Sequence, residues 1–275
     1  MKNLAFLLLL VLAAFLPVQA DEPTIRIATY NINWGNNGGE QLQDVIAKSK
    51  ADIIFFQETT LQFEPTLRKQ LAAVYPEFYS SGHLGKLPAE RFAFASKVKL
   101  RDVKFHPPKT GLFGFYTATF FWGKDEIRLV SVHLTPIMVP QNATFMVAMN
   151  AVSAIEGKHA TEIAAILKDL DPAIPTIIAG DFNSLSTFKA PKSLVEKGFI
   201  DSFAAIHLQD ADQHPTWQWP TRPLPLKLRI DYIFHSKDLQ TVKSEIIPQT
   251  SSDHFLVVSE LKRSEKAVAA KPADN

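Results

Sequence analysis

The sequence predicts a mixed α/β protein whose sheets contain antiparallel as well as parallel strand pairs. Two observations lead there. Apolar runs of strand length alternate with stretches of helical period over much of the chain, yet between Phe92 and Leu134 strands follow one another without a clear helix. The composition, 46% apolar and 21% charged, is that of an ordinary globular protein with no internal repeat.

The N-terminus reads as a secretory signal over residues 1–20. Lys2 gives the positive start, Leu4 to Leu16 form an apolar run of 13 residues, and Val18-Gln19-Ala20 is a small-x-small cleavage pattern before Asp21. That run is shorter than the roughly 20 residues a spanning helix needs, so export to the periplasm or beyond is expected rather than anchoring. The chain has no cysteine, so it is no lipoprotein and its fold must stand without disulfides. Residues 21–261 are expected as one domain, since no Gly/Ser-rich or Pro-rich linker divides them, and the polar, Ala-rich residues 262–275 as a disordered tail. Removing Lys2 with the signal leaves 28 basic and 28 acidic residues, a net charge of zero that gives no support for long-range attraction to a polyanion.

Within the domain, Ile25 to Tyr30 reads as a strand, Leu42, Val45 and Ile46 as a helix face, and Asp52 to Phe56 as a buried strand. Leu67, Leu71 and Val74 suggest a helix closed by Pro76. Gly123-Lys124-Asp125 is the hairpin turn expected between Phe120-Phe121-Trp122 and Ile127 to Val130. Asn142 to Leu170 is helical in two pieces broken near Gly157, Pro175 to Ala179 a strand, and Pro191 to Lys197 a short helix. Strands are expected again at Arg229 to His235, Val242 to Ile247 and Phe255 to Leu261.

Polar groups fall at the ends of these strands. Four apolar runs end in them, at Asn31, at Gln57-Glu58, at His133 and at Asp181-Phe182-Asn183; two begin with them, at Asp231 and at Asp253-His254. If the last two strands run antiparallel to the first four, all six groups meet at one edge, the usual place for a ligand in α/β sheets. Singly, each has a structural reading as a turn, a cap or a satisfied histidine. Six such coincidences on six strands are poorly explained that way.

Together these residues resemble the endonuclease/exonuclease/phosphatase superfamily, metal-dependent phosphoesterases that include deoxyribonucleases, abasic-site endonucleases, sphingomyelinases and inositol polyphosphate phosphatases. The resemblance spans Ile25 to Leu261 and is most specific at Gly180-Asp181-Phe182-Asn183-Ser184, Arg229 to Phe234 and Ser252-Asp253-His254. It implies a four-layer α/β/β/α sandwich of two packed mixed sheets. It further implies Glu58 as principal metal ligand with Asn31 nearby, Asp253 as a contributor to a second metal position, and Asp181 as the group that orients or deprotonates the attacking water. Asn183 would donate to the phosphoryl oxygen, His254 would bind the phosphate while oriented by Asp231, and His133 would contact it as well. Magnesium or manganese suits such an oxygen-rich set, since hard cations take oxygen ligands and bridge carboxylate to phosphate. Asn33 stands where several relatives have aspartate, and Ser96-Lys97 and Lys158-His159 where many carry arginines; lysine keeps the charge and loses the bidentate fork.

For the substrate, the aromatics of Lys109 to Trp122 read either as a lipid-facing hairpin or as half-buried strands. Trp217 and Trp219 read as base- or sugar-stacking rings or as loop packing, and Arg222, Lys227 and Arg229 as a small basic set. The Asp231-Tyr232 pair departs from the inositol phosphatases, which have an arginine after that aspartate. The resulting expectation is an exported, monomeric phosphodiesterase acting on a small diester or phospholipid headgroup at a membrane lipid surface. The alternatives are a secreted endonuclease acting on nucleic acid, and a catalytically silent binding module of the same fold.

Overall fold

The computed structural model describes residues 23–36, 39–81 and 90–264. The signal segment and residues 265–275 of the expected tail lie outside the described residues. The chain runs β1 (Ile25–Asn31), α1 (Glu40–Ser49), β2 (Ile53–Thr59), α2 (Glu64–Leu71), β3 (Glu77–Ser80), β4 (Arg91–Ser96), β5 (Arg101–His106), β6 (Phe115–Trp122) and β7 (Asp125–His133). It continues through α3 (Phe145–Ala154), α4 (Glu156–Lys168), β8 (Thr176–Asp181), α5 (Lys189–Glu196), β9 (Ile200–Asp201), α6 (Ser202–His207) and a 3₁₀ turn at Leu208–Gln213. A short ribbon of β10 (Trp217–Trp219) and β11 (Leu226–Leu228) precedes β12 (Asp231–His235), β13 (Leu239–Ile247) and β14 (Leu256–Arg263).

Two six-stranded mixed sheets result, ordered β13-β14-β1-β2-β4-β3 and β5-β6-β7-β8-β12-β9. The period of two along each strand sends alternate side chains to opposite faces. Ile27, Phe55 and Phe94 of the first sheet therefore meet Tyr116, Phe120, Leu129, Ile177 and Ile233 of the second in the central core. The other faces are also covered: Ala28, Ile54 and Phe56 pack under Leu42, Val45 and Leu67 of α1 and α2, and Val130, Ile178 and Phe234 under Ile163, Ile166 and Leu194 of α4 and α5. This is the four-layer sandwich the resemblance implies. Burial on both faces explains why the central strands read as unbroken apolar runs.

Several boundaries shift. Helix α2 ends at Leu71 and leaves Val74 exposed in the following turn, and the break between α3 and α4 falls at Ile155 rather than Gly157. Strand β14 runs to Arg263, past the expected boundary at 261, because Arg263 forms an ion pair with Asp125 and stacks over Trp122. The Lys109–Trp122 aromatics are core: Phe113, Phe115, Tyr116, Phe120 and Trp122 are buried, and exposed Phe121 lies beneath the Arg101 guanidinium. Of the two readings of this segment, packed strands hold and a lipid-facing hairpin does not.

Candidate active site

Topology brings the six groups to one edge. Strand β1 runs parallel to β2 and β7 parallel to β8, so Asn31, Glu58, His133 and Asp181 all lie at C-terminal ends. Strand β14 is antiparallel to β1 and β12 to β8, which brings Asp231 and His254 to the same edge from their N-terminal side. Asp181 is the register partner of His133 on one side and of Asp231 on the other. That close pairing needs Gly180, at φ +150°, where a Cβ would collide with the Val132 carbonyl.

Local backbone then aims the side chains. Pairing of β2 with β4 slips between Gln57 and Thr59, and Glu58 sits in that bulge at φ +58°. Bulges redirect a side chain and are common beside active sites, and a non-glycine residue in the left-handed region is held there at a local energetic cost. Asn33 (φ +62°) and Asn183 (φ +49°) share that conformation, which asparagine tolerates better than most residues.

The Asn31 amide nitrogen donates to Glu58 Oε1 at 3.0 Å and to Asp181 Oδ2 at 3.1 Å. Glu58 Oε2 accepts from the Trp34 backbone N–H at 3.0 Å, and Asp181 Oδ1 from that of Asn183 at 2.8 Å. Burial pushes the Glu58 carboxyl above its ordinary pKa, against the hydrogen bond from Asn31 and the pull of His254. Burial likewise raises Asp181, helped by the neighbouring Asp231 carboxylate. Two carboxylates held out of water so close together call for a cation.

The two site histidines differ in charge, one neutral and one protonated, because only one of them faces a carboxylate that outweighs its burial. Burial drives His133 down to about 3, with His254 and His159 adding to the shift, so its ring is neutral. It stacks on Phe113 at 4.3 Å, and its Nε2 lies 3.5 Å from Asp181 Oδ2 and 3.7 Å from Glu58 Oε1 without a hydrogen-bond partner. For His254 burial also acts downward, but the carboxylates of Asp231 and Asp181 overcome it and hold the ring well above its ordinary value. Its Nδ1 faces Asp231 Oδ2 at 3.0 Å and its Nε2 lies 3.7 Å from Asp181 Oδ2. A fixed imidazolium beside a carboxylate is suited to binding a phosphoryl oxygen while the carboxylate orients a water.

Asp253 accepts from the Asn33 amide at 2.8 Å through Oδ1 and from the Trp217 indole N–H at 3.0 Å through Oδ2, and it belongs to neither of the tight groups of ligand atoms. These contacts tie it to the loop after β1 and to β10. Asn183 turns its side-chain N–H to the Leu134 carbonyl at 3.1 Å, fastening the loop after His133, so one N–H of its amide remains for a substrate oxygen. The candidate auxiliary cations fall elsewhere. Lys97 pairs with Asp52 at the opposite edge of the first sheet, and buried Arg229 with Asp201 and Asp212.

Sequence reasoning missed the supports. Thr216 Oγ1 accepts from the backbone N–H of Ile230 and of Asp231, fixing the start of β12. His159 bonds Ser184 Oγ at 2.8 Å through Nδ1 and the Thr135 carbonyl at 2.7 Å through Nε2, tying α4 to both catalytic loops. No local pattern marks a threonine or a helical histidine for such roles. A strand-end Trp two residues from Trp219 was visible, but its partner 36 residues away was not.

A model of the endonuclease/exonuclease/phosphatase family matches residues 28–254, from β1 to the site histidine. The chain belongs to that family. No curated protein matches it by sequence. Among solved structures, TDP2 from D. rerio in complex with a single-strand DNA product is similar at 17% identity and TM-score 0.67, over 87% of this chain and 99% of that one. Family proteins from Bacteroides thetaiotaomicron (17%, TM-score 0.64, 89% and 100% coverage) and Beutenbergia cavernae (17%, 0.61, 88% and 72%) share the fold. The family comprises metal-dependent phosphoesterases and nucleases, and this chain is such an enzyme. The residues present fit a divalent ion: Glu58, His133 and Asp181 place ligand atoms within 4.8 Å of one another, and the partnerless, neutral His133 nitrogen faces both carboxylates. Glu58, His133 and Asp181 would hold the ion, with Asn31 bridging the two carboxylates, and the ion when bound supplies charge neutralisation at the phosphoryl oxygens.

Proposed function

We propose that the chain is an exported phosphodiesterase, dependent on magnesium or manganese, that hydrolyses a small or lipid-borne diester. The observation that carries this reading is the cleft of about 550 Å³ beside the site, where Asn33 and Asp253 line one wall and Trp219, Pro220 and Pro225 another. Among the described residues, Asp253 is its one charged lining residue, and no lysine or arginine lines it. A polynucleotide or polyphosphate needs cations along its path, whereas the uncharged half of a small diester does not. Walls that carry acceptors and no cation support the latter. Within the site, Asp181 would orient the water, protonated His254 and the Asn183 amide would take the phosphoryl oxygens, and Asp231 would keep the His254 proton on the side facing substrate.

A nuclease is the second reading, because Trp34 is 55% exposed next to Glu58 and a Trp face stacks bases without sequence preference. The D. rerio TDP2 complex with single-strand DNA product is of the same fold. A parallel assay with magnesium on plasmid DNA, single-stranded RNA, phospholipid vesicles, inositol phosphates and bis(p-nitrophenyl) phosphate decides between them. Release from small or lipid diesters is expected. Rapid plasmid nicking at physiological salt, with no release from the others, overturns the first reading in favour of the second.

A further inference from the structure

The mouth of the site is bordered by uncharged chain. From Leu134 to Ile155, 22 residues, there is no aspartate, glutamate, lysine, arginine or histidine. The inner side chains of this stretch are packed: Ile137, Ala148 and Val152 form a small core with Trp217, Leu226 and Ile230, so α3 and the loop before it rest on the same ribbon that holds Asp253. The outer side chains face water. Met138 is 81% exposed and Met146 65%, with Phe145 and Val147 about half exposed, although Thr144 caps the helix that displays them.

These residues adjoin a second apolar loop. Phe145 donates its backbone N–H to the Arg222 carbonyl at 3.3 Å and Arg222 donates to Ala143 at 3.1 Å, which sets Leu224, 71% exposed, beside the first turn of α3. Leu224 stands between Pro223 and Pro225, and Pro225 lines the cleft that reaches Asp253. On the other side the backbone N–H of Ile137 points at the Asn183 Oδ1, 3.5 Å away. The apolar rim therefore begins where the catalytic pocket ends. A contiguous exposed set of large apolar side chains on a well-packed base marks an interaction surface.

We propose that this rim docks on a phospholipid bilayer, with Phe145, Met146 and Leu224 entering the headgroup–acyl boundary and Arg222 meeting a lipid phosphate. The charge pattern selects this occupant. Unbroken neutral chain suits the acyl boundary, Arg222, the cation of the Pro220–Pro225 loop, matches the phosphate level just above it, and a nucleic acid would require many more cations. The inference rests on the phosphodiesterase reading and deepens it, since a protein held this way presents its site to diesters carried in the bilayer.

The test uses the chain from Asp21 onward, which retains every described residue, in flotation with phosphatidylcholine vesicles with and without phosphatidylglycerol, at low and high salt. Hydrolysis of soluble bis(p-nitrophenyl) phosphate is measured alongside. Wild type should float with both vesicles and lose little binding as salt rises. The Phe145→Ser/Met146→Ser double substitution should weaken binding at least about tenfold, the scale of removing apolar side chains from lipid, and leave soluble-diester hydrolysis unchanged. Arg222→Gln should reduce only the preference for phosphatidylglycerol. Absence of vesicle binding, or binding that the double substitution does not weaken, overturns the proposal. So does a wild-type dimer in sedimentation equilibrium that the same substitution dissociates, since that makes the rim a self-interface. Soluble-diester hydrolysis without vesicle binding overturns docking alone; vesicle binding by a chain that cleaves no diester overturns the phosphodiesterase reading instead.

Discussion

The Asn31 amide donates to Asp181 at 3.1 Å across the junction of the two sheets, and the same nitrogen reaches Glu58 at 3.0 Å. One neutral side chain thus sets the spacing of the two buried carboxylates that would hold the metal. Asn31→Ala should lower turnover by about 100-fold, the scale of losing a preorganised electrostatic contact, with a melting temperature close to wild type. Steady-state kinetics with magnesium and a thermal melt check this. Turnover near that of wild type would mean that the amide holds nothing the reaction uses.

Asp181 and His254 act on the reacting atoms themselves. Asp181→Asn keeps the volume and removes the water-orienting charge, and His254→Ala removes the imidazolium that Asp231 holds in place. Each should lower turnover by at least ~100-fold while the fold persists. A double substitution should lose far less than the product of the two losses, because the groups stand 3.7 Å apart and work on one transition state. Independent, multiplicative losses would separate their roles.

Metal removal should act on stability as well as activity. Glu58 and Asp181 are both raised by burial, and a cation relieves their desolvation only in the folded state. Exhaustive chelation should therefore abolish hydrolysis and lower the melting temperature, and magnesium or manganese should restore both. At a hundredfold excess over the dissociation constant the stabilisation is about 2.7 kcal/mol. A melting temperature indifferent to metal at saturating concentration would place the ion elsewhere.

The parts of the site legible in the sequence were those that strand periodicity locates. Asn31, His133, Asp181 and Asp231 terminate or begin apolar runs, and parallel or antiparallel pairing alone decides that they converge. What was not legible depends on contacts distant in sequence. Asp253 reads in isolation as part of a turn, and its contacts with Asn33 and Trp217 join segments far apart in sequence. Ser96-Lys97 follows a strand just as the site residues do, but β4 runs antiparallel to β2, so Lys97 emerges at the far edge beside Asp52. The aromatics of Phe113 to Trp122 have the same composition whether they face lipid or the second sheet, and it is the facing sheet that decides.

His159 couples the stability of the fold to acid. Burial holds it neutral, lowered to about 4 from 6.5, consistent with a ring bonded on both nitrogens to Ser184 and Thr135. Between those pH values the unfolded chain binds a proton that the folded chain refuses. Stability is therefore fully present above about pH 6.5 and falls as pH falls through the window, by on the order of 3 kcal/mol from this residue. His133, lowered to about 3, contributes in the same direction, so the wild-type slope reports both. His159→Gln keeps a polar side chain and deletes one titration. Urea unfolding at several values between pH 4 and 7 should show a less stable variant at neutral pH whose stability declines less steeply with acid than that of wild type. Equal slopes would show that His159 is already protonated in the folded state, and that its ring does not hold the loops as a neutral hydrogen-bond bridge.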